Sequence, residues 1–190
     1  MEKYGSSFYF DIVAGGMVTG GRVGPLSQKS EYLQKKIEAI ENTTGVLFGD
    51  PYKEVLKEGT VISDSEPPSI AFNVFKSFRP DLRFQIAHSI QQLHFLEGRD
   101  LNLMKSYFTI CERYEVNKFG FMDRFQDPAY RELTQTLFQQ VEHWGVKHFP
   151  TLMTEEDGEL ILIQEGYSPL EELESTFLRI VQGQGMHPVN

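Results

Sequence analysis

The sequence predicts an α/β protein in which a long helical stretch is inserted into a part built on strands. Three observations carry that reading. An apolar run at residues 8–14 ends at Gly15-Gly16; apolar residues keep helical spacing from about residue 50 to 145; and short strand-like runs joined by a turn signal follow Gly145.

The run at 8–14, Phe-Tyr-Phe-Asp-Ile-Val-Ala, is aromatic and β-branched and apolar at almost every position. It reads as a strand buried on both faces. Gly20, Gly21, Gly24 and Pro25 form the next loop, and Ser27 opens a polar helix reaching about Asn42 before Gly45. Asp-Pro pairs at 50/51 and 127/128 place a cap and a proline where helices begin. Between them run the stripes Ile70, Val74, Phe78, then Leu82, Ile86, Ile90, Leu93, then Met104, Tyr107, Phe108, Cys111. A fourth stripe is Tyr130, Leu133, Leu137, Val141, Trp144, and breaks are expected at Gly98 and at Phe119-Gly120-Phe121. Strands at 151–154 and 160–163, joined through Glu156-Asp157-Gly158, predict a β-hairpin. Ser168-Pro169-Leu170-Glu171 supplies a capping box for a last helix with Leu170, Leu173, Phe177 and Val181 on its buried face, and the tail from Gly183 is expected to fray.

Composition narrows the function. The 190 residues carry a formal net charge of -9, a field that disfavours phosphate backbones and anionic membrane surfaces, so neither nucleic acid nor membrane is an expected partner. No run approaches a membrane span and the first residues lack a secretory signal, so a cytoplasmic protein is expected. Cys111 is the only cysteine, which excludes an internal disulfide, a two-cysteine redox motif and a thiolate metal site within the chain.

The glycine-rich loop from Gly15 to Arg22 imitates a phosphate-binding loop. It fails where the chemistry is most demanding, because Arg22-Val23 stands where Lys and Ser or Thr are needed, and a turn-forming loop is the better reading. The histidines His88, His94, His143, His148 and His187 are scattered, and His94 with Glu97 is read as part of a solvated polar face. No metal and no cofactor are expected. Cys111 lies on an apolar stripe and reads as a small core residue, with Arg113 the one neighbour in sequence able to lower its pKa. The most informative segment is 145–152, where Pro150 opens a strand, a position proline tolerates only as a first residue, at an edge or in a special turn.

Phe149-Pro150-Thr151, the hairpin and Gly166-Tyr167-Ser168-Pro169 resemble the C-terminal half of a thioredoxin fold. Upstream, residues 10–17, Thr44-Gly45, Asp64-Ser65-Glu66-Pro67 and Glu97-Gly98-Arg99-Asp100-Leu101 are similar in order and spacing to the FrnE-like branch of the DsbA family. The resemblance runs from about residue 8 to 181. It implies a DsbA-type thioredoxin-like fold with a large all-helical insertion, lacking the first strand and the start of the Cys-x-x-Cys helix. Residues 1–25 and 146–183 would form the partial core, 26–145 the insertion and 184–190 a flexible tail.

The resemblance further implies a thiol-disulfide oxidoreductase acting on a thiol-containing protein or small molecule, with this chain redox-inactive because it has no Cys-x-x-Cys. Whether the chain is itself an enzyme stays open. Pro150 matches the family's cis-proline, and Phe149, Pro150 and Thr151 would form the substrate groove. The family's first strand would lie between residues 8–14 and the hairpin, so either residues 8–13 pair directly with 151–154 or a second copy fills the gap in a homo-oligomer. The chain is expected to start late relative to the family. Two other readings remain: a non-enzymatic thioredoxin-fold binding module, and a glutathione-dependent relative of the kappa-class transferases and 2-hydroxychromene-2-carboxylate isomerases.

Overall fold

The structure is a computed structural model that describes residues 8–156 and 158–181. Its Cα packing forms two units: Ile12–Phe138, and a second made of Met1–Asp11 with Gln139–Asn190. Ile12 packs on the helical core, its carbonyl accepts from Lys76 Nζ at 3.1 Å, and Val18 exchanges hydrogen bonds with Ser65, so residues 12–25 belong with the helices.

The helical unit begins with a two-residue strand β1 (Gly24–Pro25), a 3-10 turn and α1 (Ser30–Thr44), which ends on Gly45 at φ 71°, the left-handed cap that glycine adopts without strain. Helix α2 (Asp50–Glu58) follows, then β2 (Ile62–Ser63), which pairs antiparallel with β1. This small ladder was not foreseen: two residues are too short to show a period. The Asp50 expectation also fails, since Asp50 is already helical and Gly49 occupies the cap.

Helix α3 (Glu66–Phe78) is the centre of the unit. Its residues from Ser69 to Phe75 are all buried, and the core around them is completed from α4 (Arg83–Phe95), α5 (Phe108–Arg113) with the 3-10 turn before it, Val116 and α6 (Lys118–Gln126), while Leu26, Ile37, Tyr52 and Leu56 form a second buried cluster. Phe75 stacks on Phe121 at 4.5 Å between centroids, and Tyr107 and Phe125 surround Phe121. Complete burial of aromatic residues of this size contributes roughly 2–3 kcal/mol each. Gly98 breaks the chain as expected, at φ 65°. Phe119-Gly120-Phe121 does not. It lies inside α6, because Asn117 Oδ1 accepts from the Gly120 amide at 2.8 Å and caps the helix there. Asp127 does cap α7 (Pro128–His143), its Oδ1 accepting from Ala129 N at 2.9 Å. Of the fourth stripe, Val141 is buried and Tyr130, Leu137 and Trp144 are half-buried as expected, while Leu133 is exposed and Thr134 beside it is fully buried.

The second unit holds β3 (Thr151–Glu156), β4 (Glu159–Glu165) and α8 (Leu170–Val181). β3 and β4 pair antiparallel from Thr151↔Glu165 to Glu156↔Glu159, with a bulge at Leu152/Met153. Gly158 takes φ 83° in the turn; Asp157 lies outside the described residues, as does the tail beyond 181. Ser168 caps toward Glu172 rather than Glu171, its hydroxyl donating to Oε2 at 2.7 Å, and Pro169 precedes the helix. Leu170 is exposed instead of buried, while Phe177 is tucked between Phe8 and Phe10 at 5.6 and 5.8 Å.

Residues 8–14 correct the sequence reading most plainly. They form no strand, and their pairing with 151–154 does not occur: β3 is bonded to β4 alone among the described residues. Phe8 and Phe10 are half-buried while Tyr9 is 83% exposed, so the segment is covered on one side only. An apolar run can be extended without a ladder when aromatic packing against a helix is what holds it.

Candidate functional site

Phe149, Pro150 and Thr151, expected from the resemblance to form a groove, stand at the entrance to β3. The Phe149–Pro150 bond is cis, Pro150 is exposed, and Phe149 and Thr151 are half-buried. The Pro150 carbonyl accepts from Gly166 N at 2.8 Å, which fixes the start of β3 against the end of β4, and Thr151 Oγ1 donates to the His148 carbonyl at 2.6 Å. Proline fits here because its missing N–H interrupts no ladder bond at a first strand position.

Beyond Thr151, the strand runs along a cleft of about 410 Å³. Phe8, Phe10, Leu152, Met153, Ile163 and Phe177 give its apolar lining, and Tyr9, Asp11, Thr154, Glu155 and Gly158 the remainder. The signal available in the sequence was the pairing of two aromatic residues two apart, Phe8 and Phe10, with Phe177 on the apolar face of the last helix.

The other candidates lie in the helical unit. Cys111 is 2% exposed, and burial pushes its thiol up to about 11. The cation that acts in the opposite direction is Lys118, not Arg113, which donates to Ser89 Oγ at 3.1 Å. A thiol in this state is a poor nucleophile. His94 is not on a solvated face: its ring packs on Tyr52 and Phe95, both at 4.9 Å, and Nδ1 donates to the Arg99 carbonyl at 3.2 Å. Burial lowers its pKa, leaving a neutral imidazole that ties α4 to the following turn. Among the described residues no group of three His, Cys, Asp or Glu side chains could hold a metal ion, and no helix is long and apolar enough to cross a membrane.

No family model and no curated protein matches the chain by sequence. Solved structures do. A candidate protein disulfide isomerase from Nitrosomonas europaea superposes with a TM-score of 0.84 at 25% identity, over 97% of this chain and 87% of that one. The cytosolic disulfide reductase DsbM from Pseudomonas aeruginosa superposes at 0.75 with 23% identity, over 92% of this chain and 83% of its own. The same reductase with GSH gives 0.71 at 19% identity, over 92% and 84%. Helices, a proline-led hairpin and a closing helix in this order, superposing over nearly the whole chain, make this a thioredoxin-fold protein of the DsbA type.

Proposed function

We propose that the chain is a redox-silent member of the DsbA-like thiol-disulfide oxidoreductases, belonging to the FrnE-like branch and working in the cytoplasm. The observation that carries this reading is the coincidence of a DsbA-type fold with a single cysteine, Cys111, which is buried. Exchange between dithiol and disulfide needs two sulfurs that can reach one another, and one buried thiol cannot close that cycle.

Phe149, Pro150 and Thr151 are what the chain offers a partner. Their groove would receive a thiol-containing molecule, with the Thr151 N–H, turned away from β4, as the polar handle. The reductase from Pseudomonas aeruginosa has been solved with GSH, which makes reduced glutathione the small molecule to test and keeps a glutathione-binding role as the second reading.

Titrating the isotope-labelled chain with reduced glutathione tests the groove directly. Amide shifts concentrated at Phe149, Thr151 and Gly166 support the reading. An unperturbed spectrum, or shifts confined to the helical unit, would reject the groove.

A further inference from the structure

We propose that His94 is the pin of an acid-released clasp, which holds the entrance of α2 against the end of α4 while its ring is neutral and lets go when the ring takes up a proton. The two segments meet at backbone distance. Gly49 N donates to the Phe95 carbonyl at 2.9 Å, a Cβ on Gly49 would lie 2.0 Å from the Leu96 carbonyl oxygen, and one on Gly98 would lie 2.7 Å from the Pro51 carbonyl. Four rings close over this crossing. Tyr52 packs on His94 at 4.9 Å, on Phe95 at 5.3 Å and on Phe48 at 5.9 Å, and His94 meets Phe95 at 4.9 Å.

The hydrogen bonding fixes the state of the ring. A carbonyl can only accept, so Nδ1, 3.2 Å from the Arg99 oxygen, carries the proton and Nε2 of the neutral ring is bare. Among the described residues Nε2 has no partner. A second proton would place a full charge against Tyr52 and Phe95 with no carboxylate paired to it, a cost that a group escapes by staying neutral or by leaving. The charges nearby do not answer it. Helix α4 carries no carboxylate; on α2, Asp50 is exposed and Lys53 pairs with Glu41 of α1 at 2.9 Å. In the turn, Glu97 pairs with Arg99 at 3.2 Å, and Asp100 Oδ1 accepts from the backbone and side-chain amides of Asn102 at 2.9 and 2.7 Å. Desolvation by burial outweighs the Arg99 bond and the field of Asp100, so the folded ring titrates below the ordinary 6.5.

Because the unfolded chain binds this proton more readily, the clasp holds fully above pH 6.5 and weakens as pH falls from there through the lower folded value. What it releases is apolar. Val46, Leu47 and Leu96 are already exposed around the crossing, and Phe48 is half-buried. When the His94 ring leaves for water, its bond to Arg99 goes, and Tyr52 and Phe95 lose a packing partner. The other described histidines, His88, His143 and His148, are exposed, so among the described residues His94 alone couples a histidine proton to packing. The clasp depends on neither the groove nor the redox reading.

The isotope-labelled full chain, followed by NMR from about pH 7.5 to about pH 5, tests this through the His94 ring and the backbone amides together. One shared transition below 6.5 is expected. Across it, hydrogen exchange at Gly49, Gly98 and Arg99, corrected for its intrinsic pH dependence, should lose protection about tenfold, while Tyr114 and Phe121 keep theirs. His94→Asn can place an amide nitrogen where Nδ1 stands and does not titrate, so protection at the same three amides should be flat over this range. A His94 midpoint at or above 6.5, constant protection of the three amides in the unsubstituted chain, or a tenfold loss that persists in the His94→Asn variant would overturn the proposal. Should that variant be too unstable to read, the unsubstituted chain decides alone: coinciding ring and amide midpoints support the clasp, and midpoints more than about one pH unit apart overturn it.

Discussion

The chemistry of Cys111 can be tested by alkylating it. The residue sits on α5 in the same core cluster as Phe75, Tyr107, Ile110 and Phe121 and is 2% exposed. With its thiol pushed up from 9.0 to about 11, about one molecule in 3,000 carries the thiolate at pH 7.5, against about one in 30 for the unperturbed group. Since the thiolate is the reacting form, iodoacetamide should modify the native protein at least about a hundredfold more slowly than the protein unfolded in guanidinium. The pH profile should separate the two states further: the unfolded rate has its midpoint near pH 9 while the native rate still climbs above pH 10. The sign for stability follows. A folded pKa above the unfolded one favours the native state fully below about pH 9 and loses that contribution as pH rises through about 11. A native rate within about tenfold of the unfolded one at pH 7.5, or a native midpoint below 9, would refute the assignment of Cys111 as a core thiol.

The remaining predictions concern the packing of the helical unit. Thr134 Oγ1 accepts from Asn73 Nδ2 at 2.9 Å and donates to the Tyr130 carbonyl at 2.7 Å, with both side chains buried, so Thr134→Val keeps the shape and strands a buried amide. Urea unfolding should show a loss of about 1–3 kcal/mol, part of which returns when Asn73→Leu is added. Asn117→Ala removes the cap that lets α6 run through Gly120 and should cost about 1 kcal/mol in the same assay. At Gly49 a Cβ would lie 2.0 Å from the Leu96 carbonyl oxygen, so Gly49→Ala must push the α2 entrance away from the end of α4; a thermal melt should fall by several degrees, and an unchanged melt would contradict the packing.

What could be read from the sequence depended on length and period. The stripes Ile70–Val74 and Ile86–Ile90–Leu93 are long enough for a 3.6-residue period to register, and each lies in the core. Glu156-Asp157-Gly158 marked the hairpin because a two-residue turn needs a residue such as glycine at positive φ, which Gly158 supplies. Gly120 misled, because glycine breaks a helix only on average and the Asn117 cap three residues earlier outweighs its propensity cost of about 1 kcal/mol. Residues 8–14 misled for a different reason: composition reports the apolar character of a segment, not whether a neighbouring strand is there to bond it. The proline at the start of β3 was the legible part of the site. The aromatic lining of the cleft was not, since it is made by the meeting of Phe8 and Phe10 with Phe177 and β3, which no local pattern encodes.

The most direct test of the account is turnover. Reduction of insulin disulfides by the purified chain, with reduced glutathione as the electron source, should proceed at the rate of the protein-free blank and be unaffected by Cys111→Ala. Turnover above the blank that disappears in the Cys111→Ala variant would contradict it, and would mean that a single thiol in this fold reaches a disulfide that its burial should deny it.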